Sequence, residues 1–396
     1  MKDSRKRILL INSHFGMGGI ESAMVNMANE LCKYYDVDLL IYNPAGPMKE
    51  RLDSRVNILK SCFALRAVGM SVGEAFRSRS LLIFLFRLFA SVWAKLFDNR
   101  LPIWIATKLQ SKLGEYDLAV AYRQEVDRHD IISGFVRVLN RCVKAKRKVA
   151  WIHYDATYFK GYHAFNYKYY SEVDKIIGVS KAVADAFAKM NPIISDKIDY
   201  CYNFIDSEML AEKSNEPQGI AYPEGSFACF SACRLSKGKA IERTIKAIAP
   251  AMHKHKDIIW YIAGDGPQRE SILSVIEAEG LSGRVVLLGN LANPYPYIKN
   301  ADLFMLTSYH EAAPVVYMEA KCLGTSVFTT ETLSSYEMLS DGAEDFVCEN
   351  SDNGIQTRFE AIVNNRELLK QASQNINTKK FTNTQSLEKI SEIIEA

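Results

Sequence analysis

Two glutamates, Glu311 and Glu319, stand eight residues apart in a segment that directly follows an apolar run ending near Thr307. The run predicts a β-strand, and the residues from Pro314 to Gly324 predict a helix. Backbone N–H groups at the start of that helix would face the crevice at the strand ends, where anions bind well. Carboxylates beside such a site can accept hydrogen bonds from hydroxyl groups. The pattern therefore predicts a site for a diphosphate linked to sugar or ribose hydroxyls.

Elements that alternate strand and helix must position these residues. In the first half, an apolar run at 8–12 is followed by a glycine-rich loop, a helical pattern and a second strand at 37–42. Further short apolar runs occur at 118–122, 148–152 and 175–179. Such runs, separated by helix-length segments, are typical of a doubly wound parallel sheet.

The alternation restarts after the polar segment 214–225, which has the composition of a linker or exposed loop. The strands predicted in the second half are 227–232, 258–263, 285–288, 303–306 and 326–329. A chain of 396 residues is also too long for one ordinary core. We therefore predict an α/β protein with domains at 1–205 and 206–380.

Composition and cysteine usage indicate a folded intracellular protein. Hydrophobic residues make up 48% of the chain and charged residues 24%, the balance of a globular protein. The eight cysteines are scattered without a CxxC pair, which predicts reduced thiols. The first seven residues lead directly into the strand at 8–12 without a secretory signal pattern, so the cytoplasm is the expected compartment.

Charge is unevenly distributed between the two halves. Residues 1–200 carry 31 Lys and Arg against 20 Asp and Glu, whereas residues 201–396 carry 18 against 26. Basic residues are densest in 77–112 and 137–148, where nucleic acid and an anionic membrane are both plausible partners. The very apolar segment 81–97, with Arg87, Ser91 and Lys95 in one helical stripe, fits either a core helix or a membrane-surface helix.

The segment from Ser308 to Thr329 resembles the E-x7-E signature of the retaining GT-B glycosyltransferases, the family 4-like group 1 enzymes. Residues 231–247 resemble the family's G-R-L-x-x-x-K-G-x-D-x-L-I-x-A segment, and 262–267 its G-x-G-P turn. Residues 16–21 resemble its N-terminal glycine-rich loop, and 151–153 its histidine segment. The occurrence of all these segments in this order is more specific to the family than any one of them alone. It implies two Rossmann-like domains facing across a cleft, with a C-terminal helix at 381–396 that crosses back to the N-domain.

The resemblance also implies roles for individual residues. Glu311 would contact the transferred sugar, Glu319 the ribose, and Arg234 with Lys239 the departing diphosphate, while His153 would position the sugar's 6-hydroxyl side. Residues 16–21 contribute Gly18 and Gly19, which let backbone approach the donor or acceptor. The remaining expected donor contacts are Gly264, Gly266, Asn290, Leu291, His310, Ala312, Ala313, Pro314 and Val315. The resemblance implies no obligatory metal or cofactor.

Three positions depart from the family pattern. Ala240 replaces the glycine after the lysine, Cys233 the glycine before the arginine, and Ser326 the proline after Gly-Thr. Two of these lie beside the phosphate-gripping residues, so the donor geometry could differ from that of other members.

The resemblance implies retaining, front-side transfer of a sugar, from a UDP-sugar by preference, to a lipid-linked or cell-surface glycan. We expect an anionic membrane as a partner through 77–112 and 137–148, which would place the protein at the inner face of the plasma membrane, and no nucleic acid. The alternative is a non-catalytic sugar-nucleotide-binding or scaffolding subunit. A dehydrogenase is excluded because G-x-G-x-x-G would need glycine at Glu21.

Overall fold

A computed structural model describes residues 5–125, 127–157, 163–339, 346–377 and 381–396. The chain divides into two compact units. Unit 1 comprises the residues up to Phe204 together with Asn383–Ala396, and unit 2 comprises Ile205–Thr382.

Unit 1 is built on a sheet whose described strands all pair in parallel, in the order β3-β2-β1-β4-β5-β6-β7. The strands are β1 (Arg7–His14), β2 (Asp36–Asn43), β3 (Asn57–Leu59), β4 (Leu113–Ala121), β5 (Val143–Ile152), β6 (Lys175–Gly178) and β7 (Ile198–Tyr200). Residues 8–11 of β1 are fully buried, because a parallel sheet is covered on both faces by its crossover helices. The order reverses between β1 and β4.

The helices of unit 1 connect these strands, except the last, which follows unit 2 in the sequence. They are α1 (Gly19–Leu31), α2 (Phe63–Val68), α3 (Val72–Arg77), α4 (Leu81–Leu96), α5 (Arg100–Leu109), α6 (Phe135–Cys142), α7 (His163–Ser171), α8 (Lys181–Met190) and, after unit 2, α17 (Thr384–Glu395). Short 3₁₀ helices lie at Pro47–Arg51 and Pro192–Lys197. The hydroxyl of Ser386 in α17 donates to the Tyr202 carbonyl (3.0 Å), which ties the C-terminal helix to unit 1.

Unit 2 contains a second parallel sheet in the order β10-β9-β8-β11-β12-β13. Its strands are β8 (Phe227–Ala232), β9 (Ile258–Ala263), β10 (Val285–Gly289), β11 (Leu303–Leu306), β12 (Val327–Thr330) and β13 (Val347–Cys348). Its helices are α9 (Ser207–Lys213), α10 (Ile241–Lys254), α11 (Arg269–Ala278), α12 (Tyr295–Lys299), α13 (Val315–Cys322), α14 (Ser335–Leu339), α15 (Asp352–Asn364) and α16 (Glu367–Asn377), with a 3₁₀ turn at Lys237–Lys239. Here the strand order reverses between β8 and β11.

Side-chain hydrogen bonds lock the three central strands of the second sheet together. The buried indole of Trp260 in β9 donates to the hydroxyl of Ser231 in β8 (2.9 Å). That hydroxyl donates in turn to the carbonyl of Met305 in β11 (2.5 Å). Because unmade buried hydrogen bonds are costly, this chain fixes the register of the strands on either side of the reversal.

The predicted fold class is confirmed: both units are doubly wound α/β structures with parallel sheets. The strands predicted from apolar runs are present, whereas β3, β7 and β13 were not predicted. These three have only two or three residues each, too few to show an apolar pattern. All eight cysteines are free, as expected.

Several charges of the basic segment 137–148 are neutralised in the structure. In 137–148, Arg137 is buried against Glu125 (3.0 Å), Lys144 pairs with Glu115, and Lys146 pairs with Asp117 (2.7 Å). Half of the six basic residues of that segment are therefore already paired with acids. Among the described residues, no helix has the length and apolar character needed to cross a membrane.

Candidate functional site

The loops that leave β8 and β11 meet at the carboxyl edge of the second sheet. In open parallel sheets, ligands bind in the crevice outside the carboxyl ends of the strands, at the point where the strand order reverses. The loop after β8 carries Arg234 and Lys239, and the loop after β11 carries Glu311. The topology therefore brings to one place residues that are more than seventy positions apart in the sequence.

Lys239 and Glu311 are in direct contact. The Lys239 Nζ donates to Glu311 Oε1 at 2.5 Å, and the two side chains are only 25% and 11% exposed. The backbone supports this pair, because the amide of Tyr309 donates to the carbonyl of Gly238 (2.9 Å) and so joins the two loops. A cation and a carboxylate thus lie side by side at the edge where a charged ligand would bind.

Arg234 is placed differently from Lys239. Its side chain is exposed and makes no ion pair with any residue that the structure describes. Its backbone is fixed, since the next amide, that of Leu235, donates to the carbonyl of Asp265 (3.0 Å). The guanidinium is consequently an exposed cation on a fixed loop, available to an anionic ligand.

Gly264 and Gly266, predicted to contact the donor, have a packing role in the structure. Gly264 has a φ of +129°, and a Cβ there would lie 1.9 Å from the carbonyl oxygen of Cys233. A Cβ on Gly266 would lie 2.4 Å from the carbonyl oxygen of Leu235. The turn after β9 therefore lies against the backbone of the loop after β8, and only glycine permits that approach. Whether these glycines also touch a ligand stays a prediction.

Two of the three departures from the family pattern lie in this loop. Ala240, at the start of α10, has a φ of +54°, a left-handed conformation that glycine adopts without strain. Burial raises the pKa of the Cys233 thiol to about 12, which keeps it protonated beside Lys239 and Glu311. The cysteine is therefore an inert apolar neighbour of the ion pair.

Glu319 lies on α13 and is 7% exposed. The hydroxyl of Tyr295 donates to its Oε1 at 3.4 Å, which holds the carboxylate at the inner side of the helix. Pro314 is the N-cap of α13, so the predicted contacts Ala312, Ala313 and Val315 lie around the N-terminus of that helix. His310 is exposed beside Glu311.

The predicted contacts Asn290 and Leu291 directly follow β10, the edge strand of the sheet. The amide of Gly264 donates to the carbonyl of Gly289 (2.7 Å), which links the loops after β9 and β10. Asn290 and Leu291 are therefore at the same carboxyl edge, but two strands away from β8.

Arg243 and Asn350 form a clamp on the loop after β11 that the sequence analysis missed. An Nη of Arg243 donates to the carbonyl of Thr307 (2.9 Å) and to Asn350 Oδ1 (2.8 Å), and the guanidinium lies 4.1 Å from the Tyr309 ring centroid. The Asn350 amide donates to the Tyr309 carbonyl (3.0 Å). The clamp fixes the backbone just before His310 and Glu311. No spacing rule joins residues 243, 307 and 350, so only the fold reveals it.

Unit 1 has an equivalent edge at its own reversal between β1 and β4. Gly18 is the N-cap of α1, and a Cβ there would lie 2.5 Å from an oxygen of Glu21. The buried Glu21 accepts from an Nη of Arg123 (2.9 Å), which also donates to the Ser13 hydroxyl (3.1 Å). Gly18 thus lies directly against the Glu21 carboxylate, whereas a Cβ at Gly19 would meet nothing within 4 Å. Arg123 was also missed by the sequence analysis.

His153 follows β5 at this same edge of unit 1. Its ring lies 4.8 Å from the Tyr122 ring, and its Nε2 is buried without a hydrogen-bond partner among the described residues. Burial, assisted by the positive charge of Arg123, lowers the pKa of His153 to about 3. The imidazole is therefore neutral at pH 7 and offers an unused ring nitrogen. Among the described residues, no group of three or more His, Cys, Asp or Glu side chains could hold a metal ion.

The close backbone contact at Gly264 predicts a large effect of one methyl group. Gly264→Ala should lower the free energy of unfolding of unit 2 by about 3 kcal/mol or more, since it adds a clash to a strained φ. Gly283→Ala, with a φ of +78° and open space around the Cβ, should cost only about 1 kcal/mol. Urea unfolding, monitored by hydrogen exchange in β8 and β9, measures both stability costs. Equal costs at the two positions would contradict the packing argument.

The depressed pKa of His153 predicts an acid-sensitive stability. The unfolded chain binds a proton at His153 below about pH 6.5 and the folded chain does not, so stability is complete above that pH and falls as the pH is lowered. From pH 7 to 5 this group should remove about 2 kcal/mol. His153→Gln should abolish that loss in urea titrations at each pH, whereas the exposed His253→Gln should keep it. An unchanged slope in His153→Gln would show that the imidazole is protonated in the folded state.

Comparison with known proteins relates the second half of the chain to one family. Residues 212–379 match the family model described as Glycosyl transferases group 1. The O-antigen biosynthesis glycosyltransferase WclY of Escherichia coli is 27% identical over 159 residues, which are 40% of this chain and 43% of WclY.

A second relative, from Campylobacter jejuni, is named N-acetylgalactosamine-N,N'-diacetylbacillosaminyl-diphospho-undecaprenol 4-alpha-N-acetylgalactosaminyltransferase. It is 28% identical over 162 residues, which are 41% of this chain and 42% of that enzyme. The matches thus span less than half the length of these two curated relatives.

The fold is shared over a greater length. The crystal structure of Anabaena HepE in complex with UDP and glucose superimposes with a TM-score of 0.70 at 17% sequence identity, covering 99% of this chain and 100% of HepE. Residues 212–379, which lie in unit 2, are therefore similar to the group 1 glycosyltransferases, and the chain has the GT-B fold.

Proposed function

We propose that this chain is a retaining glycosyltransferase that transfers a sugar from a UDP-sugar to a lipid-linked or cell-surface glycan, without an obligatory metal. The observation that carries the proposal is the Lys239–Glu311 pair at the carboxyl edge between β8 and β11. There, Lys239, a cation that can bind a diphosphate, is hydrogen-bonded to Glu311, a carboxylate that can accept hydrogen bonds from sugar hydroxyls.

The leaving group explains why cations are needed. When the bond between the sugar and the diphosphate breaks, negative charge grows on the departing oxygen. Lys239, the exposed Arg234 and the N-terminus of α13 can stabilise that charge more strongly in the transition state than in the ground state. These groups carry the role for which many other transferases use a metal ion.

The order of the loops gives the donor a direction along the edge. Along the sheet edge, the loops lie in the order 289–291 after β10, 264–266 after β9, 233–239 after β8 and 307–311 after β11. We place the base toward β10, the diphosphate at the loop after β8, and the sugar beside Glu311. Neighbouring strands are about 4.8 Å apart, so this edge has the length of a nucleotide sugar.

The protonation state of His153 agrees with a positioning role. A histidine that is neutral at pH 7 cannot supply a proton as a general acid, but its Nε2 lone pair can accept a hydrogen bond from a sugar hydroxyl. In the front-side mechanism the acceptor attacks from the side that the phosphate leaves, and a phosphate oxygen takes its proton. No second carboxylate acting as an acid is then required, in contrast to glycoside hydrolysis.

The acceptor class rests on the relatives. WclY acts in O-antigen biosynthesis, and the name of the Campylobacter enzyme describes a diphospho-undecaprenol acceptor. HepE is similar in fold and was crystallised with UDP and glucose. Together these relatives support a UDP-sugar donor and a lipid-linked or envelope glycan acceptor for this chain.

The proposal predicts selective stabilisation by one class of nucleotide. A UDP-sugar at ~100 times its dissociation constant should raise the stability by about 2.7 kcal/mol. The thermal shift should be lost in Lys239→Ala and kept in Lys237→Ala, which removes an exposed lysine from the same turn. Glu311→Gln should keep the shift with UDP alone and lose the extra shift from the sugar. A shift of equal size in Lys239→Ala and wild type would refute the assignment of the diphosphate site.

The non-catalytic alternative requires a separate measurement. Wild-type protein with the stabilising donor and a lipid-linked acceptor extract should release UDP, and proton NMR of the product should show the anomeric configuration of the donor. Donor binding without any UDP release would leave a sugar-nucleotide-binding subunit. An inverted product would refute the retaining mechanism.

A further inference from the structure

Helix α4 of unit 1 presents its large apolar side chains to solvent. Leu81, Leu85, Leu88, Val92 and Leu96 are 72%, 53%, 36%, 58% and 69% exposed. Their spacing of three or four residues puts them on one face of the helix. Leu82, Phe89 and Phe97 extend the same exposed surface, so more than half of the exposed large apolar side chains among the described residues lie between 72 and 109.

The opposite face of α4 fixes this orientation. Ile83, Ala90 and Ala94 are buried, the first beside Ala67, Met70 and Ala75, and the other two beside Ile131. Arg87 is also buried: its Nε donates to the Met70 carbonyl (2.5 Å) and an Nη donates to the Ser91 hydroxyl (2.8 Å). Rotating the helix to hide the leucines would break these bonds and leave a buried guanidinium without partners, which is costly.

The charges around this face point to what covers it. Arg77 and Arg79 lie before α4 and Lys95 lies in its last turn, all three exposed and without an ion pair among the described residues. The acid within 77–112 is Asp98, which is already bound to Arg100 (2.5 Å). An apolar strip with cations at both ends matches the acyl chains and anionic headgroups of a membrane surface.

We infer that the exposed face of α4 is a membrane-docking surface: the helix lies in the plane of an anionic bilayer with the five-residue strip in the acyl region and Arg77, Arg79 and Lys95 at the headgroups. A single convex helix is a poor protein interface, where charged residues such as Lys are depleted at the core, whereas a bilayer needs no complementary shape. This surface lies outside the donor site and does not depend on the proposed activity.

The test uses the full chain and vesicles of two compositions, pure phosphatidylcholine and phosphatidylcholine with phosphatidylglycerol at about three to one. The variant Leu85→Gln, Leu88→Gln, Val92→Gln should weaken flotation with both vesicle types by at least about tenfold. A matched control, Ile193→Gln, Ile220→Gln, Leu273→Gln, removes three exposed apolar side chains elsewhere and should bind as wild type does.

The charge variant Arg77→Gln, Arg79→Gln, Lys95→Gln should lose the preference for phosphatidylglycerol and keep the binding to phosphatidylcholine. Donor thermal shifts should be unchanged in all three variants, which separates failure of this inference from failure of the proposed function. Two results would overturn it. One is vesicle binding by the triple variant at Leu85, Leu88 and Val92 (the Leu85 variant) within about twofold of wild type, and the other is no vesicle binding by wild type. If wild type then sediments as a dimer that the Leu85 variant dissociates, a second copy of the chain covers the face.

Discussion

The candidate site depends on one backbone contact at the carboxyl edge of the second sheet. The turn at Gly264 and Gly266 lies so close to the carbonyls of Cys233 and Leu235 that no side chain fits between them. This contact holds the loop after β8, and the Arg243–Asn350 clamp holds the loop after β11. Both loops are thereby held in fixed positions. A ligand at the strand reversal meets preorganised groups and does not have to order them.

Within that frame, the ion pair between Lys239 and Glu311 sets the electrostatics. Each partner satisfies the other, so neither charge is left unpaired at a largely buried position. A nucleotide sugar can replace both halves of the interaction at once, with a phosphate for the lysine and a hydroxyl for the carboxylate. A free phosphate or a free sugar can replace only one half. The pair consequently favours ligands that carry both groups close together.

Much of the fold was predictable because buried parallel strands are short apolar runs, and those of β1, β8 and β9 are almost entirely buried. The positions of Glu311 and Lys239 were predicted from motif spacing, but their contact was not, because it depends on the order of strands in the sheet. The orientation of α4 could not be predicted from the sequence either. Apart from Arg87, Ser91 and Lys95 the helix is apolar, and the burial of Arg87 fixes which face turns inward. Similarly, the pKa of His153 is lowered by burial and by the charge of Arg123, and only folding brings these about.

The most direct test of the central claim is a crystal structure of this chain with UDP. The diphosphate should lie between the loops after β8 and β11, within hydrogen-bond distance of Lys239 and Arg234 and beside the N-terminus of α13, with the uracil toward Asn290. UDP bound at the β1–β4 edge of unit 1, or bound in unit 2 with Lys239 still paired to Glu311 and no contact to the diphosphate, would contradict it.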